Sequence, residues 1–475
     1  MKNIKFDFNN MLEHNVGAKH GVTQKELAAI TPGAVEACEN INRIIDNEAD
    51  RVNTGLEWTR LPFQNKKFIN EMQSLGDDIA RRYESVIFLG IGGSYLGLKA
   101  AGDALCPPYY NEFPILRRDR PKIYFDGNNL DPETLSVLIK NLNPKKTFVI
   151  IISKSGETTE TKAAFTIIER WLKNGVGRRY GRQLFAITDP KSGSLRKRAE
   201  DEQLKDRLSF RSLPVMKGVG GRFSELNIGL LHMAIMGIKI GGVLSGAQAM
   251  AKRCRTSQLY CNPALMYAAL NTILYRKKGK TISVMMPFSE MLKSTADWYV
   301  QLLAESLGKK YSRAGGIVNV GRTPISARGT SDLHSIQQNN IEGENNKSAT
   351  FIKIEHFKND IRLSGTGDFL SGKFYSELLG LAEEATEWAL VKENRPSCTI
   401  MMPEISPFGW GELIYFFEMA TAFEGELLNV NAFDQPGVEG YKNYMYYKLH
   451  KPGLSEGIKK SIEENPLVKK KRFII

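Results

Sequence analysis

Cysteine is scarce in this chain, with five in 475 residues: Cys38, Cys106, Cys254, Cys261 and Cys398. Their number is odd and they lack metal-ligand spacing, which argues against a disulfide framework and against a structural metal site. Free or buried thiols in a reducing cytosol are the expectation, with no bound metal. Long hydrophobic runs are also missing, and the opening MKNIKFDFNNMLEHN has no signal-type apolar segment. Membrane insertion and secretion are therefore not expected, and the chain reads as cytoplasmic. A Walker loop, GxxxxGK[ST], is absent, so nucleotide binding does not follow. No helix-turn-helix appendage can be made out. Acidic residues are the minority, 52 against 65 basic, for a net charge of +13. That surplus suits an anionic partner. The basic residues are scattered apart from the tail LVKKKRF (Leu467 to Phe473), which reads as a solvated end. A small phosphorylated substrate accounts for the charge, and nucleic acid is not expected.

What is present is ordinary globular composition, 42% apolar and 25% charged, in a length that suits two or three domains. The most informative stretch is FVIIISKSGETTET, Phe148 to Thr161. Phe148 to Ile152 is a β-branched apolar run, as expected of a strand buried on both faces of a parallel sheet. Ser153, Lys154, Ser155, Gly156, Thr158, Thr159 and Thr161 then crowd into a polar turn before a helical pattern. A helix cap needs one hydroxyl, and this turn offers five. Backbone N–H groups at a helix N-terminus, with added hydroxyls and a lysine, make a phosphate cradle.

The same strand–turn–helix grammar recurs at Ser85 to Leu89 followed by GIGGSYLGLKAAGDAL, which misses GxGxxG but places Gly93 and Ser94 at a helix entry. Further strands are expected at Lys122 to Asp126 and Gln183 to Thr188. Alternating strands and helices predict a doubly wound α/β sheet. KGVGGRFSELNIGLLHMAIMGI (Lys217 to Ile238) sets Arg222 in a glycine turn. Gly241 to Ser257 reads as a polar connection. Thr281 to Pro287 and Thr399 to Pro403 begin and continue a second set of elements, so two α/β domains of one architecture are expected. Asp297 to Leu307 is an amphipathic helix with Gln301 and Glu305 four apart on one face. Gly308 to Gln338 is a long glycine-punctuated loop that positions His334 after a cap-like GTSD. The apolar helix from Glu412 leads into NVNAFDQPGVEGYKNYMYYKL, with Gln435 before a Pro–Gly break and Lys442 on the last long helix.

GIGGSYLG, SKSGETTET, GVGGRFS, the pair LLAESLGK and SDLHS, and FDQPGVEGYK together resemble the glucose-6-phosphate isomerase family, nearly end to end and in its shorter bacterial form. The resemblance implies two sugar-isomerase (SIS) domains, each a parallel β-sheet between helices, with limits 1–50 (N-terminal helical segment), 51–250, 251–440 and 441–475 (C-terminal helix and basic tail). It implies interconversion of glucose 6-phosphate and fructose 6-phosphate without metal or organic cofactor. Glu305 is then similar to the base, Arg222 to the arginine beside the enediolate, and His334 and Lys442 to the ring-opening pair. Ser153, Lys154, Ser155, Thr158 and Thr161 match the phosphate loop, Gly93 and Ser94 a second wall, and Gln301 and Gln435 substrate contacts. The resemblance further implies a homodimer in which His334 completes the neighbouring subunit's site. Glu225, where a small or apolar residue is more usual, is a departure expected to alter local packing. Two other readings stand beside this one: a sugar-phosphate-binding regulator of the same fold without catalysis, and an isomerase that also accepts mannose 6-phosphate.

Overall fold

The apolar runs become buried parallel strands in the computed structural model, which describes residues 2–365 and 367–475. After a short N-terminal strand β1 (Lys5–Asp7) come β2 (Ser85–Leu89), β3 (Lys122–Asp126), β4 (Thr147–Ile152), β5 (Leu184–Thr188) and β6 (Arg211–Pro214). The last five form one parallel sheet in the order β3-β2-β4-β5-β6. Every residue of β2, β4 and β5 is buried, as expected of strands covered on both faces. The helices Leu96–Leu105, Pro132–Asn141, Thr159–Val176 and Ser194–Lys205 connect successive strands. This is the doubly wound order in which the chain reverses direction beside its first strand. Here that point lies between β2 and β4, where ligands of such sheets collect at the carboxyl ends of the strands.

The architecture repeats. β7 (Ile282–Pro287), β10 (Thr323–Ser326), β11 (Lys347–Ile354) and β12 (Ser397–Met402) pair in the parallel order β10-β7-β11-β12, with β7 in the place of β2. The helix Lys293–Leu307 follows β7 as Leu96–Leu105 follows β2. The α/β class with parallel sheets between helices is thus as expected.

Several local expectations are corrected. The first residues are not all helix and turn: β1 extends the second sheet by pairing antiparallel with β12. Gly241 to Ser257 is not a polar connection, since Ile240–Arg253 is a helix with Val243, Leu244, Ala247 and Met250 buried. The limit expected at residue 250 falls within it. Gly308 to Gln338 is not one long loop: β8 (Lys309–Tyr311) and β9 (Ile317–Val320) form a hairpin, and β10 joins the second sheet.

Residues up to Ala432 form one compact unit, and Phe433–Ile475 form a second. The second holds two helices, Glu439–Lys448 and Glu456–Glu464, where one was expected, and Tyr447 Oη donates to Glu463 Oε1 at 2.9 Å to join them. Among the described residues no helix is long and apolar enough to cross a membrane.

Candidate active site

The reversal point between β2 and β4 puts two polar turns side by side. After β2, Gly93 packs so closely that a Cβ there would lie 2.0 Å from the Gly221 carbonyl oxygen and 2.7 Å from the Arg222 nitrogen. Only glycine permits this approach, and it sets the loop carrying Gly93 and Ser94 against the turn carrying Arg222. Ser94 forms the C-terminal end of a short 3-10 turn and is half-buried.

After β4, backbone bonds to the next strand and helix hold the turn in shape. Asp189 N donates to the Lys154 oxygen at 3.2 Å, and Ser194 N to the Ser155 oxygen at 3.0 Å. Gly156 has φ of +75°, and a Cβ there would meet the Leu195 nitrogen at 2.4 Å, so the turn admits no side chain at that point. Thr158 stands at the N-cap of Thr159–Val176 in extended conformation, yet its side chain makes no capping hydrogen bond. Its hydroxyl is 3.5 Å from the Ser153 hydroxyl instead. Ser153 Oγ accepts from Gly156 N at 3.0 Å and Ser155 Oγ from Glu157 N at 3.1 Å. Lys154 and Ser155 are exposed. Thr161 differs from the others: it is buried on the first turn of the helix and donates to the Gly127 oxygen at 3.4 Å, bracing the neighbouring turn.

The second sheet contributes the carboxylate. On Lys293–Leu307 the expected one-face pairing of Gln301 and Glu305 is realised, with Gln301 Nε2 donating to Glu305 Oε1 at 3.0 Å. Arg222 Nη1 reaches Glu305 Oε2 at 3.3 Å. Its Nε donates to Ser306 Oγ at 2.7 Å and its Nη2 to the Ala432 oxygen at 2.7 Å. The Arg222 side chain is buried, 1% exposed, while Glu305 is 28% exposed. A fixed positive charge therefore sits beside a carboxylate that solvent and substrate can reach. The Gln301 amide oxygen is buried and unpartnered among the described residues. Its nitrogen lies 3.0 Å from where a Cβ of Gly92 would stand. Gly93, Arg222, Gln301 and Glu305 thus come together at the junction of the two sheets.

Among the described residues, His334 makes no hydrogen bond to Gly93, Arg222, Gln301 or Glu305. It ends the short turn Ser331–His334 and is exposed. The turn itself is held by Asp332, which accepts from Arg328 N at 2.8 Å and from Ser335 Oγ at 2.9 Å. Gln435 and Lys442 belong to the second unit. Lys442 Nζ pairs with Glu439 Oε1 at 2.8 Å. Partial burial pulls its pKa down, and the Glu439 hydrogen bond and charge more than offset this, leaving it above the ordinary lysine value.

Sequence reasoning did not find Ser306 or the Ala432 carbonyl as supports of Arg222. Nothing in the sequence marks contacts that span 84 and 210 positions. It did single out Glu225. That side chain is wholly buried, with Trp298 Nε1 donating to its Oε1 at 2.7 Å. Burial raises its pKa to about 8. Burial, with the Glu225 charge beside it, also raises that of the equally buried Glu418.

Comparison with known proteins shows which family the chain resembles. The phosphoglucose isomerase family profile matches residues 49–456. A glucose-6-phosphate isomerase of Carboxydothermus hydrogenoformans is 38% identical over 99% of both chains. Among solved structures, a hypothetical protein from Thermus thermophilus aligns at 30% identity with a TM-score of 0.81, over 94% of this chain and 99% of that one. A glucose-6-phosphate isomerase from Chlamydia trachomatis shares the fold at 22% identity and a TM-score of 0.77, over 94% of this chain and 90% of its own. By the reach of that profile and the identity to these relatives, the chain belongs to the phosphoglucose isomerase family.

Proposed function

We propose that this chain interconverts D-glucose 6-phosphate and D-fructose 6-phosphate through an enediolate, a step shared by glycolysis and gluconeogenesis. In this reading it works in the cytoplasm, without metal or organic cofactor, as a dimer whose His334 completes the neighbouring site. The observation that carries the reading is the Arg222–Glu305–Gln301 cluster at the end of the glycine loop.

The phosphate is held by the turn after β4, through Ser153, Lys154, Ser155, Thr158 and the free N–H groups of the helix that follows. Thr161, on the first turn of that helix, braces the neighbouring turn after β3 through the Gly127 oxygen. Gly93 and Ser94 form the facing wall, and Gln301 and Gln435 receive sugar hydroxyls. His334 and Lys442 open the ring, one taking the C1 hydroxyl proton as the other supplies one to the ring oxygen. Glu305 then removes the C2 proton of the open aldose and returns it to C1. A proton moves from O2 to O1 in the same sense, so C2 and O2 each give up the hydrogen that C1 and O1 gain and the atoms balance. Negative charge grows on those oxygens in between, and Arg222 meets it; one such donor is worth roughly 3 kcal/mol in comparable oxyanion sites. The phosphate grip holds the open chain in line for the transfer.

The test is a coupled assay of purified protein with fructose 6-phosphate, with and without chelator. The expected result is production of glucose 6-phosphate at a rate EDTA does not change. Activity lost in EDTA and restored by zinc or manganese would indicate a different type of isomerase, and no turnover at all would leave the regulatory reading.

A further inference from the structure

The Arg222 segment is tied to the helix that carries the carboxylate at two separate points. At one, Arg222 Nε donates to Ser306 Oγ at 2.7 Å and its Nη1 reaches Glu305 Oε2 at 3.3 Å. At the other, Trp298 Nε1 donates to Glu225 Oε1 at 2.7 Å. Trp298, Gln301 and Glu305 stand at i, i+3 and i+7 on Lys293–Leu307, so all three share one helical face. From Trp298 to Glu305 the helix rises roughly 10 Å. The Glu305 contact at 3.3 Å is long for a charged pair and by itself sets the carboxylate's place only loosely. Attachment near Glu305 alone would leave the helix free to tilt, and the Trp298–Glu225 bond fastens it two turns away.

Several elements converge on Glu225. It opens the helix Glu225–Ile235, three residues after Arg222. Gly97 of Leu96–Leu105, the helix that follows Ser94, packs against its side chain. Glu418 of the helix Pro407–Leu428 faces it as well. Glu225, Trp298 and Glu418 are all buried. No step of the proton transfer uses Glu225, and burying a carboxyl group costs free energy that an apolar side chain would not. An apolar contact, however, tolerates sliding, whereas a hydrogen bond from an indole N–H has a set length and direction. The carboxyl group therefore specifies a register between the two elements that bring Arg222 and Glu305 together.

We infer that Glu225 is a positioning residue: through Trp298 it fixes where the helix Lys293–Leu307 stands against the Arg222 turn, and so where Glu305 meets the sugar carbon. This role rests on the isomerase reading above. The test is steady-state kinetics with fructose 6-phosphate for wild type, Glu225→Met, Glu225→Gln and Trp298→Phe, each also in a Glu305→Gln background. Glu225→Met keeps the length of the side chain and removes both oxygens, whereas Glu225→Gln keeps an oxygen that accepts from the indole. Glu225→Met and Trp298→Phe should each lower kcat roughly ten- to a hundredfold at unchanged KM, the scale of a small misplacement at a reacting centre. Glu225→Gln should recover most of that loss. With Glu305→Gln already present, the further loss should be much smaller, because the base being positioned is gone. A merely structural role would lower the melting temperature without this pattern in kcat. Trp298→Phe serves if Glu225→Met fails to fold. Wild-type kcat in folded Glu225→Met or Trp298→Phe would overturn the role. So would an equal loss in Glu225→Gln, or a loss undiminished in the Glu305→Gln background. No turnover by wild type would instead overturn the isomerase reading, and the role with it.

Discussion

Glu225 sits at the start of the helix that follows Arg222, where the family resemblance leads one to expect a small or apolar side chain. The structure accommodates it through Gly97, where a Cβ would lie 2.2 Å from the Glu225 Cγ. Trp298 and Glu418 are the polar groups that face it. A protonated Glu418 can donate to Glu225, which also accepts from the Trp298 indole, an arrangement that an ionised pair cannot make. This has a stability consequence with a definite sign. The folded pKa is raised to about 8, above the ordinary 4.5. Between those values the native state holds a proton that the unfolded chain has lost. Stability therefore falls as pH rises through that window, by about 1.4 kcal/mol per pH unit for one such group. Below pH 4.5 the contribution is fully present. Glu225→Gln removes that titration while keeping a hydrogen-bonding group. Thermal unfolding from pH 5 to 8 should show the variant gaining on wild type as pH rises. A constant difference between the two across that range would mean Glu225 is ionised in the fold.

The elements were legible in the sequence where a single signal dominated. β2 and β4 are continuous β-branched or apolar runs ended by glycine or serine, and the structure places both as buried strands. The Gln301–Glu305 pair followed from helical spacing alone. Ile240–Arg253 was misread because its glycines look like breakers. Gly246 is a contact point, where a Cβ would lie 1.9 Å from the Phe408 oxygen, and on the facing helix a Cβ on Gly411 would lie 2.0 Å from the Val243 oxygen. Close helix packing against Pro407–Leu428 demands small residues, and nothing local distinguishes that demand from a turn. β8 and β9 were missed because they are short and largely exposed, without a buried face to give alternation. The polar turn after β4 yields a prediction at this scale. With Thr158 not capping its helix, Ser155→Ala/Thr158→Ala should leave the helix intact, raise KM for fructose 6-phosphate and abolish inhibition by inorganic phosphate. Unchanged KM in a folded variant would show that the turn holds no phosphate.

At the scale of the whole molecule, the exposed His334 makes no hydrogen bond with Glu305, Arg222 or Gln301. The proposed two-fold dimer, in which His334 completes the neighbouring site, makes a prediction at this scale. Glu305→Gln chains and His334→Ala chains should each be inactive alone. Unfolded together and refolded, half the dimers are hybrids, and each hybrid has one site with both native residues. Recovery of roughly a quarter of wild-type activity is expected from that exchange across a symmetric interface. If the two residues of a site come from one chain, mixing restores nothing.

The central claim is that Glu305, beside the buried Arg222, moves the sugar proton. Glu305→Gln keeps the shape and the Gln301 contact while removing the base. The direct measurement is kcat of this variant for fructose 6-phosphate, alongside its affinity for the substrate. The expected result is unchanged affinity with kcat lower by about 10²–10⁴ or more, the usual scale for loss of a general base. Wild-type kcat in the folded variant would contradict the account.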